Sequence, residues 1–199
     1  IFIGTPNNGF YRWQYPERKI THFNKQDVLS AEPGIKDNVM IPCIADHAQN
    51  IWFTSNNGII QYRQHNQQYY HFQAPATKEV PAMSETSYIA EDRQHHIWVA
   101  TRNNGLYELY FENNRPVWKN YTVNSGIGLP SDFNSKIKQD PLDSCLWINN
   151  SLALLRFDPY QKKVLGIFDI QNGFALDGTG YGFNLFNNGL LVQQFFGRL

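Results

Sequence analysis

Ile97-Trp98-Val99-Ala100-Thr101-Arg102-Asn103-Asn104-Gly105-Leu106 is the stretch on which the fold turns. A short apolar run with an aromatic in second place meets an Asn-Asn-Gly turn, and a second apolar run follows. Three other segments share the scheme: Ile1-Phe2-Ile3-Gly4-Thr5-Pro6-Asn7-Asn8-Gly9-Phe10, Ile51-Trp52-Phe53-Thr54-Ser55-Asn56-Asn57-Gly58-Ile59 and Leu146-Trp147-Ile148-Asn149-Asn150-Ser151-Leu152. The aromatic recurs at 2, 52, 98 and 147, at spacings of 50, 46 and 49, and the glycine recurs at Gly9, Gly58 and Gly105. An aromatic repeated at such a period marks the blade of a β-propeller. The fourth copy lacks the Asn-Asn-Gly turn, so its loop is expected to differ.

Outward from each core, the unit divides into four strands. In the second, Val39–Ala45, Ile51–Thr54, Ile59–Tyr62 and Tyr69–Phe72 are apolar or aromatic runs separated by polar turns. The third unit repeats this with Tyr88–Ala90, Ile97–Ala100, Leu106–Leu109 and Val117–Tyr121. The fourth has Asn134–Lys138, Leu146–Ile148, Leu154–Phe157 and Val164–Phe168. The Asn-Gly pair is a hairpin signal because both residues tolerate positive φ, and the resulting turn twists with its strands. The expectation is an all-β fold: a fragment of β-propeller with about four four-stranded antiparallel blades. As one partial domain over 1–199, its units fall at roughly 1–30, 36–74, 84–123, 131–168 and, incomplete, 174–199. Both ends fall inside blades, since Ile1–Thr5 reads as the interior of a strand.

Composition agrees. Aromatic residues make up 15% of the chain and charged residues only 17%, a mix suited to pleated, half-buried strands. Lys+Arg and Asp+Glu are both 17, so there is no basic footprint for nucleic acid. No apolar run is long enough to cross a bilayer as a helix, so no membrane contact is expected of this segment. Cys43 and Cys145 are too few for a disulfide scaffold and read as small buried hydrophobes.

Several residues invite chemistry and have a plainer role beside it. Asp46, Asp92 and Asp140 close the first strand of three units. They are candidate acids or metal ligands, but an Asp at that place also opens a tight turn by bonding its own backbone two residues on. Trp52, Trp98 and Trp147 could form a stacking array for sugars or bases, or fill the slot that packs one blade against the next. His95-His96 lies in a hairpin turn, where neighbouring side chains diverge, so no metal is expected. No dinucleotide, Walker, zincin or Cys-x-x-Cys motif is present, and no cofactor is expected.

From Asn120-Tyr121-Thr122 through Gly128-Leu129-Pro130-Ser131-Asp132, then to Leu155-Arg156-Phe157-Asp158-Pro159, the order of elements resembles the regulator-propeller repeats of bacterial two-component sensors. Phe72, Arg12-Trp13 and Tyr62-Arg63 are looser matches. The resemblance implies a periplasmic location and two stacked propellers of several blades. An immunoglobulin-like domain, a membrane span and a histidine kinase or diguanylate cyclase domain would follow. It also implies a non-catalytic sensing module. In propellers, ligands usually meet the loop face, and Asn56, Asn57, Arg102, Asn103 and Asn104 are the candidates to hold a small polar ligand such as a saccharide. Their other role is turn formation. Asn50-Ile51-Trp52-Phe53-Thr54 also resembles the repeat of streptogramin-lyase propellers, which makes a lyase the alternative. A scaffold for protein partners is a third reading, since an exposed blade edge can accept a strand. An open arc leaves blade faces uncovered and favours self-association into a homo-oligomer. Light scattering at high concentration is expected to show association, and a monodisperse monomer opposes the idea.

Overall fold

The computed structural model describes residues 2–4, 10–23, 41–55, 57–77, 80–172, 183–189 and 191–193. Within them the chain is an arc of β-propeller, a run of antiparallel meanders with two single-turn 3-10 segments. The first sheet has three strands in order: β1 (Phe2–Gly4), β2 (Phe10–Gln14) and β3 (Lys19–Phe23). The next is four-stranded: β4 (Ile41–Ala45), β5 (Ile51–Ser55), β6 (Gly58–Arg63) and β7 (Gln68–Phe72). The third runs β8 (Thr86–Glu91), β9 (Ile97–Thr101), β10 (Leu106–Glu112) and β11 (Arg115–Tyr121). The fourth comprises β12 (Asn134–Gln139), β13 (Leu146–Asn150), β14 (Leu154–Asp158) and β15 (Lys163–Phe168). A pair, β16 (Phe183–Leu185) and β17 (Leu191–Gln193), opens a fifth sheet.

The first strands line the inside of the arc in chain order, β1 beside β4, β4 beside β8 and β8 beside β12. Each of β4, β8 and β12 carries a register shift near its start, between Pro42 and Ile44, Thr86 and Tyr88, and Asn134 and Lys136. A bulge there adds local twist. Hydroxyls at these places join the blades. Ser55 N donates to Thr86 Oγ1 at 3.0 Å, and Ser87 Oγ donates to the Asn134 carbonyl at 2.6 Å.

Gly58 and Gly105 open the third strand of their blades at φ of +150° and +71°, where a side chain is strained. A Cβ at Gly58 would run into the carbonyl oxygen of Phe72, and one at Gly105 into that of Tyr121. Each glycine therefore lets the end of the fourth strand close against the second-to-third turn. Gly9, the first of the recurring glycines, lies outside the described residues.

The core forms between blades rather than within them. Trp52, from the second blade, packs with Ile89, Val99, Tyr107 and Leu109 of the third. Trp98, from the third, packs with Ile137, Leu146, Ile148, Leu155 and Phe157 of the fourth. Apolar surface removed from water at these seams is what holds one blade to the next.

Candidate functional site

A blade meander alternates its turns between two faces. The first-to-second and third-to-fourth turns share one face, and the second-to-third turns lie on the other. On the first face the recurring aspartates organise each turn. Asp92 Oδ1 accepts from the backbone N–H of Gln94 at 2.8 Å and of His96 at 3.0 Å. Asp140 Oδ1 accepts from Leu142 N at 2.9 Å, and Asp46 Oδ1 from Asn50 N at 2.8 Å. The second oxygen of each takes the indole N–H of the tryptophan in the following strand. These bonds are Trp52 to Asp46 at 2.8 Å, Trp98 to Asp92 at 2.8 Å and Trp147 to Asp140 at 2.7 Å. All three carboxylates are buried. The Asp–indole bond recurs at a separation of 6, 6 and 7 residues, yet periodicity alone does not disclose it.

The same face holds a cleft of about 290 Å³ on the inner side of the arc. Its walls come from the ends of the innermost strands: Ile44, Ile89 and Ile137 are apolar, while Glu91, Lys138 and Gln139 are polar. Asn187 reaches it from the turn after β16. Next to these walls Lys136 lies over the rings of Tyr88 at 5.4 Å and Phe183 at 5.8 Å, tying three blades together.

At the rim, turns of two blades meet. His47 Nδ1 lies 2.5 Å from Glu91 Oε1, His95 Nδ1 lies 3.3 Å from the same oxygen, and the His47 backbone N–H donates to Glu91 Oε2 at 2.8 Å. The two imidazoles stack with centroids 3.6 Å apart. The expectation of no metal ligand set rested on His95 and His96, which do diverge, His96 turning instead to Glu108 at 2.7 Å. It overlooked that His95 meets Glu91 of its own blade, and that His47 of the second blade reaches the same carboxylate across the blade boundary. The three ligand atoms of His47, Glu91 and His95 all lie within 4.8 Å of one another.

Glu108 is the most enclosed charge in this region, 1% exposed. Lys162 Nζ donates to its Oε1 at 2.5 Å from the third-to-fourth turn of the next blade, and Tyr121 Oη donates to its Oε2 at 2.7 Å. Burial alone would raise this carboxyl's pKa. The hydrogen bonds from Lys162 and Tyr121, with the lysine's charge, outweigh burial and hold the pKa below its ordinary value. Burial and the Glu108 charge push the Tyr121 phenol well upward. Burial also raises the Cys145 thiol to about 11, so it stays protonated and packs as an apolar group.

The candidate ligand residues lie elsewhere. Arg102, Asn103 and Asn104 sit in the second-to-third turn on the opposite face. Arg102 and Asn103 are exposed, whereas Asn104 is held by Thr101, Ser84 and Asn120. Asn57 accepts from Ser55 Oγ at 3.4 Å, and Asn56 falls outside the described residues. Of the described ones, Asn57, Arg102, Asn103 and Asn104, none lines the cleft.

Blades stacked side by side around an inner cleft define an all-β propeller segment. No family model matches the chain, and a search of curated proteins returns no match. Solved structures do match. The extracellular domain of BT4673 from B. thetaiotaomicron, assigned to a hybrid two-component system, superposes with a TM-score of 0.72 at 18% identity, covering 98% of this chain and 26% of that one. The corresponding domain of BT3049 from the same organism gives 0.71 at 18% identity, with coverages of 96% and 24%. A streptogramin B lyase gives 0.63 at 16% identity, with 94% and 55% covered. The chain thus spans about a quarter of the length of the two B. thetaiotaomicron domains. Likeness at these identities is a likeness of fold. Among the described residues no helix is long and apolar enough to cross a membrane.

Proposed function

We propose that this chain is part of the extracytoplasmic, periplasmic propeller of a bacterial signal-transduction protein, and that it binds a small polar ligand without transforming it. The observation that carries this reading is the fit of nearly the whole chain to extracellular domains of two-component type, closer than its fit to the lyase. The cleft supports a saccharide-like ligand. Ile44, Ile89 and Ile137 offer an apolar wall for a sugar's C–H face, and Lys138, Gln139 and Asn187 offer hydrogen bonds at its edges.

The test is titration calorimetry with a panel of neutral oligosaccharides on the parent chain and on Lys138→Ala, Gln139→Ala and Arg102→Ala. Loss of one good polar contact costs about tenfold in affinity. The cleft variants are expected to show that loss, and Arg102→Ala to bind as the parent does. The converse pattern moves the site to the second-to-third turns. No binding by any saccharide removes this ligand class.

A further inference from the structure

The geometry points to a divalent transition-metal site of the zinc type at His47, Glu91 and His95, bridging the second and third blades at the rim of the inner cleft. Two imidazoles and a carboxylate are the borderline-soft donor set that suits Zn²⁺, whereas Mg²⁺ and Ca²⁺ prefer oxygen alone. A tetrahedral ion with bonds of about 2.0–2.1 Å places neighbouring ligand atoms roughly 3.3–3.4 Å apart. His95 Nδ1 and Glu91 Oε1 already stand at 3.3 Å, and His47 Nδ1 contacts the same oxygen at 2.5 Å. Small side-chain rotations open the space for an ion.

The supporting shell is in place as well. Glu91 Oε2 is occupied by the His47 backbone N–H, which orients Oε1 toward the two rings. Both histidines sit in five-residue turns of the same build. Asp46 N bonds the Asn50 carbonyl at 2.9 Å and Asp92 N the His96 carbonyl at 3.0 Å, and each turn is fastened by its buried aspartate. The ligands are therefore held by rigid turns rather than by loose loops.

His95 stands at φ +65°, and Gln49 occupies the same place in the other turn at +64°. Left-handed backbone favours Gly or Asn, so Asn at 95 keeps the turn while removing the imidazole. Three protein ligands leave one position for water or an incoming group. Glu91 also lines the cleft, so that position lies at its rim.

The experiment is calorimetry and thermal unfolding of the metal-stripped chain with ZnCl₂ at pH 7.5, with Co²⁺ absorption as the probe of coordination geometry. His95→Asn, His47→Gln and Glu91→Gln are the variants. One Zn²⁺ per chain is expected, with a rise in Tm of about 5–10 °C at zinc a hundredfold above Kd. Tetrahedral Co²⁺ bands are expected too, and all three responses should be lost in each variant. His95→Asn is expected to unfold without metal at the parent's Tm or above it, which separates loss of a ligand from loss of fold. Absence of zinc binding overturns the proposal. So does a zinc response that survives in His95→Asn and His47→Gln, or a larger response to Mg²⁺ or Ca²⁺.

Discussion

Glu108→Ala is expected to lower the free energy of unfolding by about 3–5 kcal/mol, measured by urea denaturation at pH 7. The carboxylate is enclosed in the middle of β10 and is the shared acceptor for Lys162, Tyr121 and His96. Its loss leaves an ammonium held over the Trp98 ring at 4.6 Å and a phenol whose bond to Glu108 is gone. Enclosed polar groups without partners are expensive, and this is a larger penalty than the net worth of the intact pair. The triple change Glu108→Leu, Lys162→Met, Tyr121→Phe removes the stranded ammonium and phenol together, leaving only the part-exposed His96 without its partner, and should recover most of the loss. A Glu108→Ala variant within 1 kcal/mol of the parent would show that water already reaches the carboxylate.

The same group sets an acid limb. Its pKa is held below the ordinary 4.5 in the folded chain. The unfolded chain therefore binds the proton first as pH falls. The contribution of Glu108 is complete above about pH 4.5, the unfolded-state value, and is lost as pH falls through the lower folded-state value. Stability measured downward from pH 6 should fall less steeply in Glu108→Gln than in the parent.

The blades were legible in the sequence because their signals are local. Ile97-Trp98-Val99, the Asn-Asn-Gly turn and Leu106-Tyr107-Glu108-Leu109 lie within one hairpin, and β9 and β10 pair across it, Trp98 opposite Glu108. Contacts between blades carry no such signal. His47 and Glu91 are 44 residues apart, Glu108 and Lys162 54, and the partners occupy different places in their repeats. His47 follows the turn aspartate of one blade, whereas Glu91 precedes that of the next. Aligning the copies hides such a pair, since the blades meet with one unit's turn over the next unit's strand end. The cleft was hidden for a related reason. Asn suits both a turn and a ligand, so recurrence drew notice to Asn57, Arg102, Asn103 and Asn104, while the walls of the cleft are made by Ile44, Ile89, Ile137, Lys138 and Gln139. These are ordinary strand residues, brought together only when first strands line the inside of the arc.

Trp98→Ala is the other change expected to cost about 3–5 kcal/mol in the same assay. The indole is fully buried, stacked on Tyr121 at 5.6 Å, edge-on to Phe157 of the next blade at 5.2 Å, and bonded to Asp92. Trp147 holds the same place in its repeat but is only half-buried. Trp147→Ala should cost less, about 1.5–3 kcal/mol. Equal losses at 98 and 147 would mean that the Asp–indole bond, common to both, governs the cost rather than the seam between blades. Trp98→Phe isolates that bond: it keeps a ring in the seam but strands the second oxygen of a buried carboxylate, a penalty of about 1–3 kcal/mol. The Trp98 and Glu108 variants should not be additive, because Lys162 touches both side chains. Once Glu108 is gone, the ammonium has lost its counter-ion and the seam over Trp98 is already loosened, so the second deletion removes less. A double variant whose loss equals the sum of the singles would place Lys162 outside the seam and make the charge network and the aromatic packing independent supports.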